Sequence, residues 1–331
     1  DRRRALLDQA RIGLQMTEAE QLVLTNDLLL AADNAYWNWV KEYELFLLQS
    51  RAVTINQNRL ALTKKTYQYG ERAAIDTTEA LSQLQSFELE QKDAYLQFVK
   101  ATQELSLFLW KENQQPYDIS EGIIPSETLM NNVAYQEYVP LLGRINGQPL
   151  GNHASVLYYL RKQDFLVSER RLKFQSFLPK LDLTYNFFNK ENYRSEFFPL
   201  FQNNYQYGIK LEIPIFLRQA RGDYRIAKNK VQQNLLDIDY KRQEINTKLN
   251  TYKNEVLNYR NQIDIATQNI DNYERLVKAE EAKYNAGESS LFLINSRENK
   301  LIDAQEKILE LRLKFIKGYN QLKWLNENFM Q

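Results

Sequence analysis

Residues 67–71 read Tyr67-Gln68-Tyr69-Gly70-Glu71, and residues 284–288 read Tyr284-Asn285-Ala286-Gly287-Glu288. The echo extends outward from both glycines. Tyr36-x3-Val40-x2-Tyr43 returns as Tyr252-x3-Val256-x2-Tyr259, and Arg59-Leu60 returns as Arg275-Leu276. Each glycine lies between two long stretches without proline. All seven prolines fall between Pro116 and Pro214. Proline costs about 3 kcal/mol inside a helix, so two helical blocks flank an irregular centre. The repeat predicts two long helical hairpins that turn at Gly70 and at Gly287.

Hydrophobic residues within the blocks recur every seven positions. Phe46, Val53, Leu60 and Tyr67 approach the first turn; Ala80, Phe87, Ala94, Ala101 and Phe108 leave it. Ile263, Ile270, Val277 and Tyr284 approach the second, and Ile294, Leu301, Ile308, Phe315 and Leu322 leave it. A sustained period of seven is a coiled-coil signal. Ala94, Ala101 and Ala266 allow close helix approach. A helix of about 60 residues is roughly 90 Å long, too long for a compact domain, so a tube, stalk or bundle is expected. A mean hydropathy of −0.58 fits helices with one packed stripe and much wet surface. These stripes alone suit an ordinary soluble coiled coil equally well.

The centre reads differently. Residues 181–188 and 204–216 alternate with a period of two, which predicts strands. Tyr205, Tyr207, Ile209, Leu211, Ile213 and Ile215 fall on one face of the second segment; Gln206, Gly208, Lys210, Glu212 and Pro214 fall on the other. Two alternating, aromatic-rich strands joined by a long loop resemble a transmembrane β-hairpin; a hairpin on a soluble sheet is the alternative. A lone hairpin in lipid would leave its edge N–H and C=O groups unpaired, so several chains would have to close a barrel.

Charge is balanced, with 43 basic and 42 acidic residues, so no global field draws the chain to nucleic acid. There is no cysteine, which excludes disulfides and thiolate chemistry. The single histidine, His153, is expected as a solvated loop residue. No enzyme is expected: no nucleophile elbow surrounds a serine and no phosphate-binding glycine loop is present. No cofactor or metal site is expected either. Carboxylates such as Glu280 and Glu281, near Lys283, read as solvated helix faces. No stretch approaches the roughly 20 apolar residues of a spanning helix.

Three motifs carry a family resemblance. Phe177-Leu178-Pro179-Lys180-Leu181-Asp182-Leu183 resembles the opening of the second membrane hairpin in TolC-type outer-membrane efflux proteins. Leu211-Glu212-Ile213-Pro214-Ile215-Phe216, followed by Arg221-x4-Ile226-Ala227, resembles that family's passage from strand back to helix. Gly70-x5-Asp76-x3-Ala80 resembles its helical tip. The resemblance implies a mainly α fold with a trimeric β-barrel of four strands per chain, continued by an α-helical tunnel across the periplasm. It implies an outer-membrane exit duct for a tripartite efflux or type I secretion system, a passive conduit. A soluble coiled-coil scaffold is the alternative.

The resemblance divides the chain into a first helical hairpin at 1–111, an equatorial segment at 112–155 and a helix leading to the membrane at 156–180. The outer-membrane hairpin follows at 181–216, the second helical hairpin at 217–317 and a C-terminal equatorial segment at 318–331. It implies that Gly70, Glu71, Arg72, Asp76, Gly287, Glu288, Ser289, Ser290 and Leu293 face a periplasmic adaptor, itself joined to an inner-membrane pump. Leu183, Tyr185, Phe187, Tyr205, Tyr207 and Ile209 would face lipid. Two departures stand out. One hairpin is present where the family has two, which places the first, with a helix before it, upstream of residue 1. Leu293 stands where an acidic residue would match Asp76, so an acidic ring cannot be carried over to the second tip.

Overall fold

A computed structural model of the chain describes residues 2–119, 122–126, 128–129, 153–186, 206–213 and 217–325. The elements in order are α1 (Arg2–Gln68), α2 (Ala74–Ser106), α3 (Ala154–Gln175), β1 (Lys180–Asn186), β2 (Gln206–Glu212), α4 (Arg218–Asn285) and α5 (Leu291–Leu325). They form two compact units, one of Asp1–Val23 with Gly151–Gln243, the other of Leu24–Leu150 with Glu244–Gln331. Both helical hairpins turn in the second unit.

That unit is built on the heptad stripes. Val53, Leu60, Ala80, Phe87, Ala101, Ile263, Ile294, Ile308, Phe315 and Leu322 are all buried. All but Ile294 and Ile308 fall into two clusters. One gathers Trp39, Val40, Leu105, Val256, Leu309 and Phe315; the other gathers Leu48, Ala52, Leu84, Leu291 and Ile302. Burying one such side chain contributes about 1.5–3 kcal/mol. Trp39 Nε1 donates to Thr102 Oγ1 at 2.8 Å, so the indole is satisfied inside the α1–α2 layer. Gly318 marks a close approach: a β-carbon there would lie 3.0 Å from Val256 Cγ2. Its role is therefore packing. Helix α5 runs through it to Leu325, so the first residues of the C-terminal equatorial segment expected at 318–331 are helical as far as 325. Residues 326–331, and 130–152 of the expected equatorial segment, lie outside the described residues.

The other unit carries the strands. Asn234, 1 % exposed, donates from Nδ2 to Tyr159 O at 3.0 Å and to Gln163 Oε1 at 2.9 Å, fixing α4 against α3. Phe174, Phe177 and Tyr224 stack where the chain leaves α3 for β1. His153 corrects the sequence reading: it is 5 % exposed, and its Nδ1 accepts from Ser155 N at 3.2 Å. It caps α3, which begins at Ala154, and satisfies an amide that the first helical turn leaves free.

β1 and β2 pair antiparallel in a two-stranded sheet. The register sets Leu181 opposite Leu211, Leu183 opposite Ile209, and Tyr185 opposite Tyr207. The described strands run over Lys180–Asn186 and Gln206–Glu212, within or beside the expected 181–188 and 204–216. Phe187, Tyr205 and residues 214–216 lie outside the described residues, as does the connecting segment 189–203.

Candidate functional site

Both tips close with the same backbone geometry. Gly70 has φ +76° and Gly287 has φ +81°, the left-handed region that glycine enters without strain. At the first, Gly70 N donates to Tyr67 O and Glu71 N donates to Thr66 O. At the second, Gly287 N donates to Tyr284 O and Glu288 N donates to Lys283 O. This double bond is the Schellman motif, which satisfies the last carbonyls of the incoming helix. The duplicated Gly-Glu therefore encodes one turn used twice.

The two tips touch. Arg72 Nη2 donates to Tyr284 O at 2.9 Å, and its guanidinium lies 3.9 Å from the centroid of the Tyr284 ring. Arg72 is thus held between the hairpins rather than free at the surface. Glu71 and Glu288 are exposed. Asp76 sits in the first turn of α2, where the helix dipole favours a carboxylate. Ser289 Oγ donates to Glu280 Oε1 at 2.5 Å. Ser290 caps α5 through its carbonyl, which accepts from Leu293 N and Ile294 N. Glu280 corrects the expected solvated face: its side chain is 12 % exposed, and it pins the tip loop while Arg297 lies 4.0 Å away. A charge at helical spacing does not reveal that a loop folds back onto it.

Of the apolar side chains at the tips, sequence reasoning named Leu293 and missed Tyr69, Ile75 and Phe292. Tyr69, Ile75 and Phe292 are 79 %, 67 % and 65 % exposed, and Leu293 joins them at 41 %. Their neighbours Leu291 and Ile294 are buried. The signal was a run of apolar residues longer than one helix face can bury, Leu291-Phe292-Leu293-Ile294. Behind the tips, Glu79, Gln83, Asn295 and Asn299 line a cleft of about 390 Å³ between α2 and α5. Gln83 Nε2 donates to Asn299 Oδ1 at 2.5 Å across it. Burial and then Asp76 push the Glu79 carboxyl up, against the hydrogen bond from Asn295.

The second candidate surface is the hairpin. Leu181, Leu183, Tyr185, Tyr207, Ile209 and Leu211 share one face, and each is more than half exposed. The other face carries Lys180, Asp182, Thr184, Gly208, Lys210 and Glu212. Lys210 and Glu212 pair at 2.5 Å. The register thus brings together Leu183, Tyr185, Tyr207 and Ile209 of the expected lipid-facing set. Among the described residues no helix is long and apolar enough to cross a membrane.

The sequence profile of the outer membrane efflux protein family matches residues 167–325, from α3 through the hairpin and the second tip. That stretch of the chain is similar to the outer membrane efflux protein family. The fold extends over nearly the whole chain. The Campylobacter jejuni CmeC outer membrane channel superposes with a TM-score of 0.77 at 14 % identity, covering 97 % of this chain and 67 % of that one. VceC, an outer membrane protein of Vibrio cholerae, gives 0.77 at 16 %, covering 97 % and 75 %. The open-state MtrE channel of Neisseria gonorrhoeae gives 0.75 at 13 %, covering 98 % and 71 %. No curated protein matches the chain. The matched stretch contains the hairpin face and Gly287, while the Gly70 tip lies before it in the other half of the duplication.

Proposed function

We propose that the protein is the outer-membrane exit duct of a tripartite efflux or secretion system, working as a trimer. The observation that carries this reading is the hairpin, with an apolar exposed face backed by a polar one. Such a sheet is stable where lipid covers the first face and water the second. Among the described residues each strand has one strand partner, so each has an outer edge to satisfy. In hydrocarbon every unpaired N–H and C=O costs several kcal/mol, so strands from further hairpins and further chains complete a closed barrel. The duct is passive, and the driving energy comes from an inner-membrane pump.

The tips are the proposed docking surface for a periplasmic adaptor. Tyr69, Ile75, Phe292 and Leu293 offer apolar contact, and Glu71, Glu288 and Asp76 surround it with charge. Interfaces of this kind place apolar anchors inside a polar rim. Two experiments test the reading together. The full-length protein is fractionated from cells, and a photo-crosslinker at Ile75 or Phe292 is activated in the periplasm. Outer-membrane recovery with a crosslinked adaptor supports it. Recovery in the detergent-free soluble fraction without a crosslink favours the scaffold alternative.

A further inference from the structure

Helices α1 and α5 come from different repeats, yet a line of buried polar side chains joins them. Asn56 Nδ2 and Arg59 bond Glu298, and Gln49 Nε2 donates to Glu306 Oε1 at 2.6 Å. The first of these contacts pairs opposite charges, because Arg59 faces Glu298 directly and Glu281 at 3.5 Å. The second is not. Gln49 is 3 % exposed, and its Oε1 has no hydrogen-bond partner. A buried carbonyl oxygen without a donor carries an uncompensated desolvation penalty.

The carboxylate that faces Gln49 sits among others. On its own helix Glu306 has Asp303 and Glu310, which pair with Lys300 at 3.5 Å and Lys307 at 3.2 Å. From α2, Glu90 faces it. From α1, Lys41 is the opposing cation, already bonded to Glu42 at 2.7 Å. An ionised Glu306 can only accept hydrogen bonds, so it offers Gln49 Oε1 nothing. A protonated one has an O–H to give.

We propose that Gln49 and Glu306 form a proton-operated joint between the two repeats. On taking a proton, Glu306 donates Oε2–H to Gln49 Oε1 while Oε1 keeps its bond from Gln49 Nε2. The acid and the amide then share two reciprocal hydrogen bonds, and the joint tightens. On losing the proton, the joint falls back to one bond beside three further carboxylates. Burial, followed by Asp303 and Glu310, pushes the Glu306 carboxyl up from its ordinary range, against the Gln49 bond and Lys41. Burial, Glu306 and Asp303 push Glu90 up as well. A raised carboxyl adds stability that is fully present below its unfolded value and is lost as pH rises through its folded value. The joint is therefore tighter below the raised range of the Glu306 carboxyl than above it.

The test uses Glu306→Gln in the full-length protein. Glutamine presents N–H where the acid presents O–H, so it holds the two-bond state at every pH. Thermal unfolding is followed for wild type and variant at about pH 5 and about pH 7.5, spanning the range of a raised carboxyl. The expected result is near-equality at the lower pH. At the higher pH the variant melts about 1–2 °C above wild type, a shift suited to a large chain. In a Gln49→Leu background the advantage of Glu306→Gln should shrink to what relief of burial and of repulsion by Asp303 and Glu310 supplies. A variant no more stable than wild type at the higher pH overturns the proposal. An advantage undiminished in the Gln49→Leu background overturns the acid–amide pair, because relief of burial and repulsion alone would then explain it.

Discussion

Replacing Leu183 with arginine places a charge at the centre of the apolar strand face. Leu183 is the middle residue of β1 and pairs with Ile209. At about 3.4 Å per residue it lies roughly 10 Å from either end of the strand, the depth at which a barrel buries a side chain most fully in hydrocarbon. Its side chain is 72 % exposed in the chain, so nothing in the protein shields the substitution. An arginine on the lipid face near the bilayer midplane costs about 2–4 kcal/mol. A trimer carries that cost in every chain. The control is Thr184→Arg, one residue along and on the opposite face, beside the small Gly208. The assay is the yield of heat-resistant, detergent-extractable oligomer in the outer-membrane fraction at matched expression. The account predicts a steep loss for Leu183→Arg and near-normal yield for Thr184→Arg. Equal yields for the two variants would refute the facing argument, because they would show that the apolar face does not meet lipid.

Further outcomes follow from the helical unit. Gly318→Ala pushes a methyl against the buried Val256 and should destabilise by about 1–3 kcal/mol, the range for overpacking; adding Val256→Ala should recover much of the loss in denaturant titrations. Glu298→Ala removes the carboxylate that Arg59 bonds most directly and should cost about 3–5 kcal/mol; Glu298→Gln, which keeps the Asn56 contact, should cost less by the same titration. Gly70→Ala meets no neighbour and should cost only the left-handed strain of about 1 kcal/mol, with oligomer assembly intact by native gel. Arg72→Ala breaks the bond and the ring contact to Tyr284; hydrogen exchange should rise at both tips rather than at one.

The repeat was legible because its turn is chemical as well as positional. A glycine forced to positive φ, followed by an exposed glutamate, recurs wherever that turn recurs. The strands were legible because a period of two survives on a sheet whose faces meet different surroundings. Helix interiors hid more. Gln49, Glu298 and Glu306 sit at spacings that suit a solvated face, and their burial depends on which helix from the other repeat packs against them. His153 read as a loop residue for a similar reason: its cap is made by the first turn of a helix that begins one residue later. The exposed Tyr69, Ile75 and Phe292 went unassigned, since a stripe read from sequence does not reveal where its partner helix ends.

The central claim is that strands from several copies of this chain close a barrel in the outer membrane. Light scattering on the detergent-solubilised full-length protein, corrected for bound detergent, tests it most directly. The account predicts a single species of three chains that needs detergent to stay in solution. A monodisperse single chain, or a species that remains soluble after detergent is removed, would contradict it.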